Sequence, residues 1–468
     1  MAWNLQHNYA DFLPDSFYSR QNPHQPINPE LVIFNNRLAD FLNIKITEAE
    51  ATDFFSGKII PPEAQPIAQA YSGHQFGHFT MLGDGRAILL GEKTALDGKL
   101  YDLQLKGSGK TLFSRGGDGK ATLYSMLREY LISEAMFYLG IPTSRSLAVV
   151  KTGEDVRRET VHDGAVLTRV ASGHIRIGTF EYANRFLSII ELEKLCHYTI
   201  DRFYPDLKSS STPAFDLFKK VAQGLMDLVI QWERVGFIHG VMNTDNMSIA
   251  GETIDYGPCA FMNEYHPEKV FSSIDIDGRY AFGNQSKILR WNLAVFAHSL
   301  LPMMEDQRQE AQAIIDEFPA VYQGKWMKMM RSKLGLTTPD PHDKILITNL
   351  LEWMTTHHAD YTNTFLFLER YLLTGETPYK DSLFEQWLEK WKSRIDSTEY
   401  VLEIMKKTNP SVIPRNHLVE NALTSKDISI FKRFLQILTL PYSRDLLDPV
   451  YQSPPEGGDS YYQTFCGT

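Results

Sequence analysis

Only three cysteines, Cys196, Cys259 and Cys466, occur in the 468 residues. So few exclude a disulfide framework, and their spacing excludes a zinc site built on paired cysteines. No run of about 18 apolar residues occurs, so no membrane-spanning helix is expected. The opening stretch, Met1-Ala-Trp-Asn-Leu-Gln-His-Asn, lacks the basic and apolar regions of a secretory signal. Positive charge is in deficit: 47 Lys+Arg against 57 Asp+Glu leave a net charge of −10. That excludes a surface devoted to nucleic acid or anionic membrane, while a local basic pocket stays open. No repeat of fixed period and no low-complexity block is found. A cytoplasmic protein is expected, monomeric, with no nucleic-acid or membrane partner.

What is present is an ordinary globular composition, 43% hydrophobic and 22% charged. The length suits two to three domains, or one large two-lobed unit with additions. Residues 1–70, rich in Pro and Asn, read as a wrapping N-terminal arm. Residues 71–177 read as a strand-rich small lobe with one key helix. Within it, Ala87-Ile-Leu-Leu-Gly-Glu and Leu100-Tyr-Asp-Leu-Gln-Leu-Lys flank Asp97-Gly98, a strong hairpin signal. Leu123, Leu127, Tyr130, Leu131, Ala135 and Tyr138 recur at helical spacing, and Gly140 with Pro142 supplies the stop. Residues 178–345 read as a helical large lobe whose clearest element is an amphipathic helix from Phe215 to Trp232. A short strand, Val235-Gly-Phe-Ile-His, then leads into the polar loop Val241-Met-Asn-Thr-Asp-Asn, and Met247 to Ile254 reads as a second hairpin. Further helices are expected at Trp291–Met304, Leu346–Met354 and Tyr361–Leu373. Residues 346–468 form a C-terminal helical extension and flexible tail. The fold class expected is α+β, two-lobed and protein-kinase-like.

Four residues fall in an order that carries chemistry. Lys106 ends a strand, Glu129 lies on the next helix (with Glu134 as a rival), Asp245-Asn246 sits in the polar loop, and Asp255-Tyr-Gly closes the second hairpin. In kinase folds a strand lysine pairs with a helix glutamate and holds phosphates, while a loop Asn and the Asp of Asp-Phe-Gly hold the metal. Two departures stand out. The position of the usual catalytic aspartate, after His239-Gly240, is Val241. No Gly-x-Gly-x-x-Gly lid precedes Lys106, and Gly83-Asp84-Gly85-Arg86 is the nearest glycine cluster. Asp245 is then the remaining candidate base. The stretch from Lys106 to Lys120 fails the P-loop pattern, because Gln104 stands where its first glycine belongs. It reads instead as a glycine-rich basic loop able to cradle phosphate. Arg169 and Arg176 add guanidiniums suited to bidentate phosphate contact. His74-Gln-Phe-Gly-His78 has a metal-like spacing, but Gly77 opposes a helix there and packing is the favoured reading.

Several longer motifs match a known family: Tyr71-Ser-Gly-His-Gln-Phe-Gly, Leu82-Gly-Asp-Gly-Arg-Ala, Gln104-Leu-Lys-Gly-Ser-Gly, Phe113-Ser-Arg-Gly-Gly-Asp-Gly, Gly240-Val-Met-Asn-Thr-Asp-Asn-Met-Ser and Ile254-Asp-Tyr-Gly-Pro. Over essentially the whole chain the sequence resembles selenoprotein O and its bacterial homologues. That resemblance implies transfer of AMP from ATP to Ser, Thr or Tyr hydroxyls of protein substrates, with ATP bound in the reverse sense to kinases. On matching positions it implies that Lys106 grips the outer phosphates and pairs with Glu129. Gly83, Gly85, Arg86, Asp118 and Gly119 would contact the inverted nucleotide, and Arg169 and Arg176 would complete the phosphate pocket. Asn246 and Asp255 would hold Mg²⁺ (Mn²⁺ is the alternative), Asp255 also touching ATP, and Asp245 would be the base. Cys466 looks like the sulfur counterpart of the family's selenocysteine, a candidate for redox influence. The alternatives are an inactive nucleotide-binding pseudokinase scaffold, suggested by Val241 and the missing lid, and an atypical kinase using Asp245.

Overall fold

The computed structural model describes residues 3–445, 448–459 and 462–465. Cys466 lies outside them. The chain is α+β and two-lobed. The small lobe is a nine-stranded antiparallel sheet whose central hairpin, Ala87–Thr94 and Leu100–Lys106, turns at Asp97-Gly98 as expected. From one edge the order is Tyr18–Arg20, Ile67–Gln69, Ala87–Thr94, Leu100–Lys106, Val161–Ala171, Arg145–Arg157, Glu30–Phe34. Leu5–Gln6 pairs with Ala87–Thr94.

The first seventy residues are therefore not an arm laid around a finished lobe. They supply four strands of its sheet. The physical reason lies on the outer face, where Leu103, Leu147, Val150 and Val170 project. Trp3, Leu38, Leu42 and Phe55 from the N-terminal segment seal them into a second core. Without that cover the strands would expose a continuous apolar face.

On the inner face lies the helix Leu123–Tyr138, with the bounds its periodicity predicts. The Thr122 hydroxyl accepts from the Ser125 amide at its start, and Gly140 with positive φ ends it. Paired residues of antiparallel strands share a face. Lys106 lies opposite Leu167 and Gln104 opposite Arg169, so Lys106 and Arg169 both point at this helix.

In the large lobe, Pro213–Arg234 packs against Gln285–Leu300 and Arg308–Lys333. The expected strand after it shrinks to Phe237–Ile238, paired with Ala260–Phe261. The second hairpin is narrower than expected, held by single bridges such as Met247 to Thr253. The expected helices at 346–354 and 361–373 are Asp343–Thr356 and Tyr361–Thr374. The C-terminal helices Asn416–Thr424 and Ile428–Leu438 return to the small lobe and pack on Leu123–Tyr138. Glu420 accepts from the hydroxyls of Tyr124 (2.7 Å) and Tyr462 (2.9 Å) and pairs with Arg128 at 3.3 Å. Among the described residues no helix is long and apolar enough to cross a membrane.

One buried acid marks the large-lobe core. Glu233 is 6% exposed and accepts from the Tyr322 hydroxyl at 2.9 Å. Burial pushes its pKa from 4.5 to about 8. The folded chain thus holds a proton that the unfolded chain releases above about pH 4.5. Stability falls as pH rises through that window and is lowest above pH 8. Glu233→Gln is expected to stabilise by roughly 2–4 kcal/mol at pH 8 and by little at pH 4.5, read from denaturant midpoints.

Candidate active site

Between the lobes lies a cavity of about 560 Å³. Of the residues singled out from the sequence, Gly83, Gly85, Arg86, Lys106, Asp118, Gly119, Arg169, Arg176, Asp245, Asn246 and Asp255 all line it. Glu129 stands behind the wall, 3% exposed.

Lys106 Nζ lies 2.6 Å from Glu129 Oε2 and 2.8 Å from Asp255 Oδ1. Arg169 lies 2.5 Å from Glu129 Oε1 and 2.6 Å from Asp255 Oδ1, and Arg176 lies 2.9 Å from Asp255 Oδ2. The rival Glu134 is instead engaged by Arg145 at 2.6 Å. Three cations thus converge on Asp255. Burial pushes the Asp255 carboxyl up, but Arg169, Lys106 and Arg176 together outweigh it and hold it well below the ordinary range. Burial likewise opposes ionisation of Glu129, and Arg169 with Lys106 overcomes it. The clamp also fixes backbone strain: Asp255 sits at φ 60°, the left-handed region that a non-glycine residue occupies at a cost.

Asp245 is in a different state. Its Oδ1 is buried without a hydrogen-bond partner, and Gly73 lies against it so closely that an added Cβ would come within 2.5 Å of Oδ1. Burial raises its pKa to about 6, with Arg176 opposing. This is a carboxylate poised to take a proton near neutral pH. Beside it, Asn246 donates its amide to Val241 O at 3.0 Å, which leaves its side-chain oxygen as a hard donor. His239 is buried, its ring nitrogen 3.0 Å from Ile254 O, and so ties the loop to the segment carrying Asp255. Among the described residues no three His, Cys, Asp or Glu side chains form a metal cluster. Asn246 and Asp255 offer hard oxygens, fewer than a divalent cation takes, so an ion held there would need phosphate and water to complete its shell.

At the far end of the cavity the glycine-rich loop approaches. Asp118 pairs with Arg158 at 2.8 Å, and Gly119 passes so close to Gly109 that any side chain would collide with its backbone. Tyr71 and Asp84 fall in motifs noted from the sequence but are given no role there, and Arg158 is missed. Arg158 carried no signal beyond its place in an Arg-Arg pair. Tyr71 stacks under the Arg176 guanidinium at 4.4 Å. Asp84 accepts from Gln104 at 3.1 Å and lies 3.9 Å from Arg176. In all, seven Lys and Arg side chains line the cavity against four carboxylates, a balance suited to a polyphosphate. Arg158→Ala is expected to weaken binding of a polyphosphate to the cavity about tenfold, read by titration calorimetry, because it removes one of the cations that line it.

The other expectations resolve plainly. His74 and His78 lie on the hairpin Ser72–Gln75/His78–Met81 rather than on a helix, and His74 Nδ1 is paired with Glu181. Cys196 and Cys259 are buried free thiols that burial pushes up to about 12 and 11, so neither is a reactive thiolate.

A buried lysine–glutamate pair, a loop asparagine and an aspartate ahead of Tyr-Gly, all on one interlobe cavity, define a kinase-like nucleotide-handling enzyme. The comparisons refine that class. The family model "Protein adenylyltransferase SelO" matches residues 3–439. "Protein nucleotidyltransferase YdiU" of Pelagibacter ubique is 49% identical over 100% of both chains. The protein of the same name from Anoxybacillus flavithermus is 50% identical over 100% of this chain and 99% of its own, and that of Brevibacillus brevis 49% over 100% and 98%. A solved structure described as Toxoplasma gondii ROP2, with a protein-kinase fold and no enzymatic activity, covers 74% of this chain and 84% of its own at 12% identity, with a TM-score of 0.25 that carries no weight. The chain belongs to the SelO family of protein adenylyltransferases.

Proposed function

We propose that the protein transfers AMP from ATP to Ser, Thr or Tyr hydroxyls of other proteins, with the triphosphate seated in the reverse sense to kinases. The observation that carries this reading is the buried cation cluster of Lys106, Arg169 and Arg176 beside a carboxylate with a free oxygen, Asp245. Fully buried guanidiniums on the inner wall match the β- and γ-phosphates in charge and geometry. With the tail inward, the α-phosphate lies nearer the mouth, where an acceptor enters. Gly83, Gly85, Arg86, Asp118 and Gly119 then face the nucleoside end. Asn246 and Asp255 would hold Mg²⁺ or Mn²⁺, which supplies charge neutralisation at the phosphates. Asp245 takes the proton from the attacking hydroxyl, whose oxygen bonds to the α-phosphorus as the bond to the β-phosphate breaks and pyrophosphate leaves, and preorganised charge does most of the rest.

The test is parallel incubation with α-labelled and γ-labelled ATP, a divalent cation and candidate proteins. Label is expected on protein from the α position only. Label from the γ position alone would make this a kinase. The buried Val241 favours a second reading, an inactive scaffold. That reading predicts ATP-dependent thermal stabilisation with no label transferred from either position.

A further inference from the structure

The hairpin Ser72–Gln75/His78–Met81 lies between the active site and open surface. On its inner side Gly73 rests on Asp245, the His74 amide donates to Thr244 Oγ1 at 2.7 Å, and the Phe76 amide donates to Asn243 Oδ1 at 3.1 Å. Gln75 lines the nucleotide cavity. On its outer side the strand His78–Met81 pairs, among the described residues, with nothing but Ser72–Gln75. The two-residue turn at Phe76-Gly77, both at positive φ, sets the register. Gln75/His78 and Gly73/Thr80 are the hydrogen-bonded pairs, so the amides and carbonyls of Phe79 and Met81 face outward. Around this free edge is apolar surface: Phe79 meets Phe186 at 6.1 Å, and Met81, Phe186, Ile189 and Ile190 are exposed. Arg185 caps the Phe79 ring at 4.2 Å, and Arg279 stands 3.7 Å from a Cβ built on Gly77. Neither arginine makes an ion pair among the described residues.

An unpaired strand edge with an apolar flank and unpaired cations is a site for an extended segment. We infer that the acceptor protein docks here, adding a strand along His78–Met81, with an apolar side chain on Phe79, Met81 and Phe186 and an acidic one toward Arg185 or Arg279. The inference rests on the proposed AMP transfer and assigns its protein-binding surface. The occupant is an acceptor because the hairpin is continuous with Asp245. A strand added at this edge runs about 10 Å from Ser72–Gln75, and roughly three residues of chain span that distance. The modified hydroxyl therefore lies about three residues beyond the docked segment.

The experiment uses the full chain with α-labelled ATP and a positional-scanning peptide library centred on Ser, Thr or Tyr. The wild type is expected to select apolar residues at alternating positions on one side of the acceptor, with Asp or Glu nearby. Met81→Pro, which removes an outward amide, and Phe186→Ser, which removes part of the apolar face, are expected to lose that selection. Both should cut peptide labelling about tenfold or more while the ATP-induced rise in Tm stays unchanged. Unchanged selectivity and rate in both variants would overturn the docking site and leave AMP transfer intact. A wild type that transfers no label to any peptide or protein would overturn both readings. A wild-type dimer in gel filtration that Phe186→Ser converts to monomer would assign the face to a second copy of the chain and overturn the inference.

Discussion

Asp245→Asn is expected to lower nucleotide transfer about 10²- to 10⁴-fold while the protein stays folded and still binds ATP. The amide keeps the shape of the carboxyl and removes its capacity to accept a proton. Stability should hold or improve. Because burial raises the Asp245 pKa to about 6, the folded chain resists an ionisation that the unfolded chain accepts from about pH 3.8 upward. That cost is present at pH 7, and the asparagine avoids it, a gain of roughly 1–3 kcal/mol. The wild type should lose transfer as pH falls through about 6, where the base becomes protonated, and the variant's residual rate should show no such limb. A stable variant with undiminished transfer would remove Asp245 from the chemistry.

Asp255→Asn should behave in the opposite way. Its carboxylate receives Lys106, Arg169 and Arg176 together, so neutralising it leaves Lys106 and Arg169 sharing Glu129 and Arg176 with Asp84 at 3.9 Å. Removing one partner of a buried ionic cluster costs about 3–5 kcal/mol. Transfer should be lost as well. Saturating ATP is expected to restore part of the lost stability, more than it stabilises the wild type, because phosphate oxygens replace the missing anion. Denaturant midpoints with and without ATP read both effects. Equal stability of the two proteins would mean that the cluster does not depend on this carboxylate.

The contrast between these two aspartates shows what sequence could and could not carry. Lys106, Glu129, Asn246 and Asp255 were legible because each sits within or beside a segment that local pattern defines. The helix Leu123–Tyr138 is one such element, found to the residue from its apolar spacing and its glycine stop. That Glu129 and not Glu134 meets Lys106 depends on how the helix is rotated against the sheet, which tertiary packing sets. The N-terminal strands were illegible for a related reason. Leu5 pairs with Lys93 and Tyr18 with Gln69, and such short strands become strands only when distant partners accept their hydrogen bonds. Asp84, Tyr71 and Arg158 joined the cavity through contacts between separate segments, which no spacing along the chain announces.

The return of the C-terminal helices to the small lobe has a consequence for biosynthesis. The helix bearing Glu129 is gripped through Tyr124 and Arg128 by Glu420, and Glu420 is itself held by Tyr462. Glu420 follows Tyr124 by 296 residues, so the ribosome makes this grip long after the helix it holds. A polypeptide cut short of Glu420 therefore carries the complete catalytic loop yet leaves the helix bearing Glu129 without its hold on Tyr124 and Arg128.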